Sequence, residues 1–352
     1  GAACDAAAPA TAAPGDATNT THRPGAGFAV ASVALLLIFV SAGTPIPLYN
    51  LYRAEDGLST ADLTVVTAAY LAAAALSLLV LGRLSDHLGR RTVGVAALVS
   101  SALGLVVLLG VDGVAPLALG RLLQGLATGL ASSALGALVV DTAPLQRRWL
   151  PAVVTSSAPT LGIPLGAVLS GVLVDEAPAP RVLAYSVVLV LVVGAAVGVA
   201  LGPETTARTS LRAATASLRP RVTVPAGAGR QLGAVVGLIL ATWSLGGFYQ
   251  AFGPTIAEEQ LGSGDALTAA AVFASFTVLA VVGGPLTARV RPDLALRGGA
   301  VVYALCVAGV LTALAAAATG PFLLASLAAG VAQGAAQTAG MRALLARTGP
   351  GD

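Results

Sequence analysis

The chain has 352 residues, 56% of them hydrophobic and only 10% charged, with a formal net charge of +3 and a mean hydropathy of +0.87. Apolar residues in that proportion, carried in long blocks, exclude an ordinary soluble domain and indicate a polytopic membrane protein. The small positive balance averages two unlike faces, so it gives no ground for a nucleic-acid partner.

Residues 1–26 are rich in Ala, Pro, Thr and Gly and cannot bury a core; they are expected to form a flexible tail. Cys4 lacks the charged and apolar region that a lipoprotein signal requires upstream. A helix crossing the roughly 30 Å hydrocarbon layer needs about 20 mostly apolar residues. Ten blocks meet that requirement, at 27–48, 63–81, 92–111, 114–140, 150–174, 182–201, 232–256, 267–286, 298–318 and 321–345. They predict an all-α bundle in the lipid bilayer. Spans 1–6 form an N-terminal set over 27–203, a polar connector fills 204–231, and a second set occupies 232–352.

Orientation follows from charge, because cytoplasmic loops collect Arg and Lys. The cations are 19 Arg and no Lys. Arg83, Arg90, Arg91, Arg147, Arg148, Arg208, Arg212, Arg219, Arg221, Arg230, Arg289, Arg291, Arg297, Arg342 and Arg347 fall on one side of the bundle. Loops on the other side carry only Arg53 and Arg181, together with Glu55, Asp56, Asp112, Asp175, Glu176, Glu258, Glu259 and Asp265. The Arg-rich end is therefore expected to be cytoplasmic, with the N-terminus on that side.

The loop after span 2, "GRLSDHLGRR" at 82–91, concentrates ionisable groups. Gly82 and Gly89 permit close backbone approach and a tight turn. Asp86 is the loop's only acid and can accept from a helix N-terminus or from Arg. Arg90 and Arg91 are within expected reach of Asp141, at the cytoplasmic end of span 4.

Arg121 lies about seven residues into span 4, or roughly 10 Å deep at 1.5 Å per residue. An ionised side chain there costs on the order of several kcal/mol unless it meets a partner or a water-filled cavity. Gln124 follows at i+3 on the same face. No acid sits in the middle of any span; Asp62, at the outer start of span 2, is the nearest candidate for coupling or substrate contact, with helix capping as its alternative role. Candidate cavity-lining groups are Ser41, Thr44, Tyr70, Trp243, Tyr249, Gln250, Gln333 and Gln337. Two His in the whole chain argue against a metal site, no cofactor is implied, and no His-Glu-x-x-His or paired intramembrane Asp suggests an enzyme.

The two sets of spans echo one another: "GRLSDHLGRR" aligns with "GPLTARVRPD" at 284–293, and "LLQGLATG" at 122–129 with "VAQGAAQTAG" at 331–340. Two parallel halves joined by a cytoplasmic loop are a known transporter arrangement. With Gly82, Leu84, Asp86, Gly89, Arg90 and Arg91 in the loop, "RLLQGLATG" from Arg121 and "PET" at 203–205, the chain resembles the major facilitator superfamily, in a bacterial, actinobacterial-type form. His87 departs from the usual Arg or Lys of the loop motif. The resemblance implies a secondary transporter in the bacterial inner membrane, acting as a monomer on a small-molecule substrate; the residues leave it either driven by protons through Asp62 and Arg121 or not proton-coupled, with proton-coupled efflux the favoured reading. It also implies that Gly82, Asp86, Gly89, Arg90, Arg91 and Asp141 latch the two halves, and that Arg121 serves proton coupling or substrate binding.

Span 5 carries "SAPTLGIPLGAVLSG", whose Gly162, Gly166 and Ser170 fall on one face and loosely resemble the motif of drug–proton antiporters. Export of an apolar or cationic compound is thus expected over uptake of a sugar or other metabolite. A second set of six spans would run to about residue 408 by symmetry with the first. The chain is accordingly expected to lack spans 11 and 12, which leaves a non-transporting remnant as a further alternative. The orientation predicts that Ser210→Cys in intact cells resists an impermeant thiol reagent added from outside; ready labelling would invert the topology.

Overall fold

The computed structural model describes residues 25–147, 150–206, 209, 211–218, 229–287 and 289–345. The tail at 1–24 with Cys4, and Arg148, Arg208, Arg219, Arg221 and Arg347, lie outside the described residues.

Fourteen α-helices are described: α1 (Ala26–Gly43), α2 (Tyr49–Asp56), α3 (Thr60–Leu81), α4 (Ser85–Leu88), α5 (Arg90–Leu109), α6 (Val114–Asp141), α7 (Leu150–Glu176), α8 (Pro180–Leu201), α9 (Leu211–Ser217), α10 (Gly229–Leu261), α11 (Ala266–Thr277), α12 (Ala280–Leu286), α13 (Pro292–Ala315) and α14 (Thr319–Leu345). No strand occurs among the described residues. Ten segments are long and apolar enough to cross a membrane, α11 and α12 together making the eighth. The protein is an all-α polytopic bundle. Its outer surface bears Leu201, Val190 and Leu324, which are 75%, 70% and 69% exposed, as suits side chains solvated by hydrocarbon.

Two predicted spans are broken in the observed structure, and others shift at their ends, span 7 to Gly229–Leu261 and span 9 to Pro292–Ala315. Hydropathy carries span 1 to residue 48, but the helix stops at Gly43. Pro45 and Pro47 have no N–H, so the i−4 ladder ends, and the chain turns before re-forming as α2. Span 8 is interrupted at Val278–Leu279. Just beyond the break, Gly283 and Gly284 pack closely on α14, and Pro285 lacks the N–H that would close on Val281.

Close packing in lipid needs small residues, because burying apolar surface gains little when the solvent is itself apolar. The sequence supplies them in pairs. Gly162 and Gly166 of α7 lie on α1, where a Cβ would overlap the Phe39 side chain and the Val40 carbonyl respectively. Gly125 of α6 sits on the Tyr70 carbonyl of α3, and Gly334 of α14 sits on the Ala280 carbonyl at the start of α12. The Gln-Gly pairs at 124–125 and 333–334 thus pack in the same manner in the two sets of spans.

Gly166→Val should lower the unfolding temperature in detergent, at an overpacking cost of about 1–3 kcal/mol. Gly194, which has open space around it, provides the control: Gly194→Ala should leave stability unchanged or raise it by up to about 1 kcal/mol. Equal effects in the two variants would remove the packing explanation.

Candidate functional site

Helix α1 ends with two carbonyls in need of donors. Pro45 cannot supply the amide hydrogen that would close on Ser41, and Ile46 N–H turns instead to the Gly43 carbonyl at 3.2 Å. Side chains from α6 fill both places. Gln124 Nε2 donates to the Ser41 carbonyl at 2.7 Å and Arg121 Nη1 to the Ala42 carbonyl at 2.7 Å. The negative end of the α1 dipole therefore faces the guanidinium.

Arg121 is fully buried. Its Nη1 also donates to Gln124 Oε1 at 2.9 Å, and its Nη2 donates to Oε1 of Gln250, on α10, at 2.9 Å. The Tyr70 ring lies 4.1 Å beneath the guanidinium carbon. Behind this group, Ser101 Oγ donates to Ser41 Oγ at 2.8 Å and Thr128 Oγ1 to the Gln124 carbonyl at 2.9 Å.

Hydrogen bonds to a charged group contribute about 1.5–3 kcal/mol each, and a desolvated cation–π contact about 2. Their sum is comparable with the several kcal/mol, roughly, that burial of one ion costs. The charge is held by neutral oxygens and a ring. Arg90 and Arg181 each face carboxylates, but Arg121 has no carboxylate partner among the described residues, and the cluster keeps its positive charge. A second cation about 4 Å away would be repelled by about 4 kcal/mol at an effective dielectric constant near 20. A cation is therefore disfavoured beside this cluster.

The other candidate residues separate. Tyr70 and Gln250 join Arg121. Tyr249 instead stacks on Phe276, with centroids 5.1 Å apart, and bonds to Ser326. Gln337 donates to Thr242 at 3.0 Å. Gln333 Oε1 is buried without a partner, and Trp243 is 40% exposed. Asp62 is exposed and forms a capping box with Ser59, accepting from Ser59 N–H at 2.9 Å. Of its two expected roles, the geometry gives capping and places the carboxylate outside the Arg121 cluster.

At the Arg-rich end, Arg90 pairs with Asp141 and, at 3.7 Å, with Asp86. Arg91 does not join them. Its Nη1 donates to the Gly202 carbonyl at 3.0 Å and the Ala200 carbonyl at 3.4 Å, capping the C-terminus of α8. Glu204 returns the contact by accepting from Arg91 N–H, at the N-terminus of α5, at 3.1 Å. Gly89 has φ +98, a left-handed conformation that favours glycine, and a Cβ there would have to push the Glu204 carboxylate aside. Gly82, by contrast, has ordinary right-handed helical geometry. His87 Nδ1 lies 3.0 Å from Thr209 Oγ1 of the connector. Every described partner of this loop belongs to spans 1–6 or to the connector, so the network expected to latch two halves closes within the first set. Glu204 escapes sequence reasoning as a functional acid; its signal is the "PET" at the end of span 6.

At the opposite, acidic end the two sets are tied directly. Both Asp175 oxygens accept from the α11 N-terminus, from Ala266 N–H at 2.9 Å and Leu267 N–H at 2.8 Å. Arg53 donates to Glu258 and to Thr255 Oγ1, each at 3.3 Å, and Asn50 Nδ2 to the Pro254 carbonyl at 3.0 Å. Nearby, Arg181 binds Asp56 and Glu55 beside the Tyr52–Tyr185 hydroxyl pair, which is 2.7 Å apart. Burial holds the Tyr52 hydroxyl well above its usual range, so that group stays neutral.

Ten candidate spans thus enclose a buried polar cluster, the architecture of a polytopic membrane protein. The family model of the Major Facilitator Superfamily matches residues 31–351, and the chain belongs to that family. Among solved structures it is similar to a bacterial homologue of the human lysosomal transporter Spinster, inward-facing and unoccupied, at 15% identity and a TM-score of 0.68, covering 94% of this chain and 77% of that one. The nucleoside transporter NupG, solved as a point mutant, matches at 15% identity and a TM-score of 0.64, over 92% and 84% of the two chains. At these identities the likeness concerns the fold. No curated protein matches the chain.

Arg90→Gln and Asp141→Asn should each lower stability in detergent by about 1–2 kcal/mol, and the double variant by less than their sum. Strict additivity of the unfolding shifts would show that the pair is not coupled.

Proposed function

We propose that the chain is a secondary transporter of the bacterial inner membrane, working as a monomer and exporting a small organic solute by alternating access, coupled to protons. Residues 27–203 and 232–352 are the two moving bodies, and 204–231 is the cytoplasmic connector. The observation that carries this reading is the Arg121–Gln250 hydrogen bond, a buried link between the two bodies held on the face where a solute would be gripped. With the Arg-rich end cytoplasmic, the bonds of Asp175, Arg53 and Asn50 shut the outer side, and rocking has to break them.

The glycine face of α7 on α1 supports export, through its likeness to drug–proton antiporters. Carboxylates lie at the helix ends rather than in the membrane interior among the described residues, so the coupling proton is assigned to the outer rim. Asp175 holds the α11 N-terminus there through two charge-assisted hydrogen bonds, and loss of that hold favours opening outward. Uptake of a metabolite is the runner-up, favoured by the amide and hydroxyl groups that crowd Arg121.

Proteoliposomes containing the chain, loaded with labelled dyes and sugars, test the reading. Solute movement should depend on a pH gradient, and Asp175→Asn should flatten that dependence while leaving the protein inserted. Saturable sugar entry with no dye movement would favour uptake, and an unchanged gradient response in Asp175→Asn would remove the rim carboxylate from coupling.

A further inference from the structure

The guanidinium of Arg121 has two edges in unequal use. Its Nη1 is committed to α1 and to Gln124, both within the first set of spans. The opposite edge, formed by Nε–H and the Nη2–H that runs parallel to it, is the one arginine presents to carboxylates in a two-point contact. On that edge Nη2 binds only the neutral Gln250 Oε1 at 2.9 Å, and Nε–H is buried without any acceptor. An orphaned donor on a fully buried cation is expensive unless something else meets it for part of the working cycle. Tyr70 under the ring plane and the α1 carbonyls fix the fork's direction, so the free edge is pre-set toward the second set of spans.

We propose that this edge is the binding point for the carboxylate of a small organic anion, and that Gln250 holds its place between transport cycles. The inference rests on the transporter reading and narrows its substrate class. A carboxylate accepting from both Nε and Nη2 displaces the single Gln250 oxygen, satisfies the orphaned donor and neutralises a charge that otherwise has no carboxylate partner among the described residues. Because Gln250 belongs to the other body, the same exchange releases a link between the bodies. Solute binding and release of the clasp become one event, which is how a differential contact shifts a conformational equilibrium. Gln250 is therefore a positioning residue that competes with solute, and Arg121 is the residue that touches it.

The test is binding of labelled benzoate, salicylate and octanoate to the purified chain in detergent, with the corresponding neutral amides as competitors. At least one acid should bind saturably and raise the unfolding temperature, and its amide should compete poorly. Arg121→Lys, which keeps the charge but loses the fork, should weaken binding about tenfold or more. Gln250→Glu supplies a tethered carboxylate; it should unfold at a higher temperature than the wild type without ligand and bind none of the acids. Gln250→Ala should retain binding. Amides that bind as well as the acids, acid binding by Gln250→Glu that matches the wild type, or no saturable binding of any of the three acids would overturn the proposal. Movement of neutral solutes in proteoliposomes separates the two levels: if these move while acids neither bind nor move, the carboxylate site fails and the transporter reading stands.

Discussion

Pro45 removes one amide hydrogen from the last turn of α1, and the arrangement of the membrane interior depends on that loss. The stranded Ser41 and Ala42 carbonyls require donors in a setting without free water, and α6 supplies a guanidinium and an amide at i and i+3. A cation held this way needs no carboxylate, because its compensation is spread over a helix terminus, an amide and an aromatic face. The consequence is a fixed positive centre where two sets of spans meet. A carboxylate in the same position would have closed the charge balance.

The two ends of the bundle use similar physics for different purposes. At the Arg-rich end, Arg91 and Glu204 cap each other's helices, while Arg90 gathers Asp86 and Asp141. These contacts join helices of one set. At the acidic end, Asp175 caps a helix of the other set, and Arg53 reaches Glu258 across the same boundary. Rim bonds between exposed charged groups are individually weak, roughly 0–1 kcal/mol each, so a closure built from them can be broken within a transport cycle. Glycines set the distances at which both kinds of contact form: Gly94 of α5 packs on Leu135 of α6 and Val199 of α8, and Gly171 brings the end of α7 against Ala266.

The span count, the all-α class, the opposite charge of the two ends and the isolation of Arg121 were legible in the chain, because each reflects a one-dimensional rule. Hydrocarbon demands about 20 apolar residues per crossing, and charge in its interior is costly wherever it appears. Gln124 was legible for the same kind of reason, since helical spacing places it beside Arg121. Three matters were not. The end of α1 was hidden because Pro45–Leu48 continues the apolar block, and hydropathy does not register a lost amide hydrogen. Arg90 and Arg91 look alike in sequence, yet only Arg90 meets Asp141; their directions differ by one helical step, and α8 stands on one side alone. Gln250 lies 129 residues from Arg121, and nothing local distinguishes it from Gln333 or Gln337.

By itself, then, the sequence determined which segments cross the bilayer, how charge divides between the two ends, and that one buried cation required an explanation. Tertiary structure decided what surrounds that cation and which edge of it stays free. The reason lies in lateral packing: in lipid, neighbouring helices are chosen by how closely glycine faces let backbones approach, a property of pairs of segments that no single segment encodes.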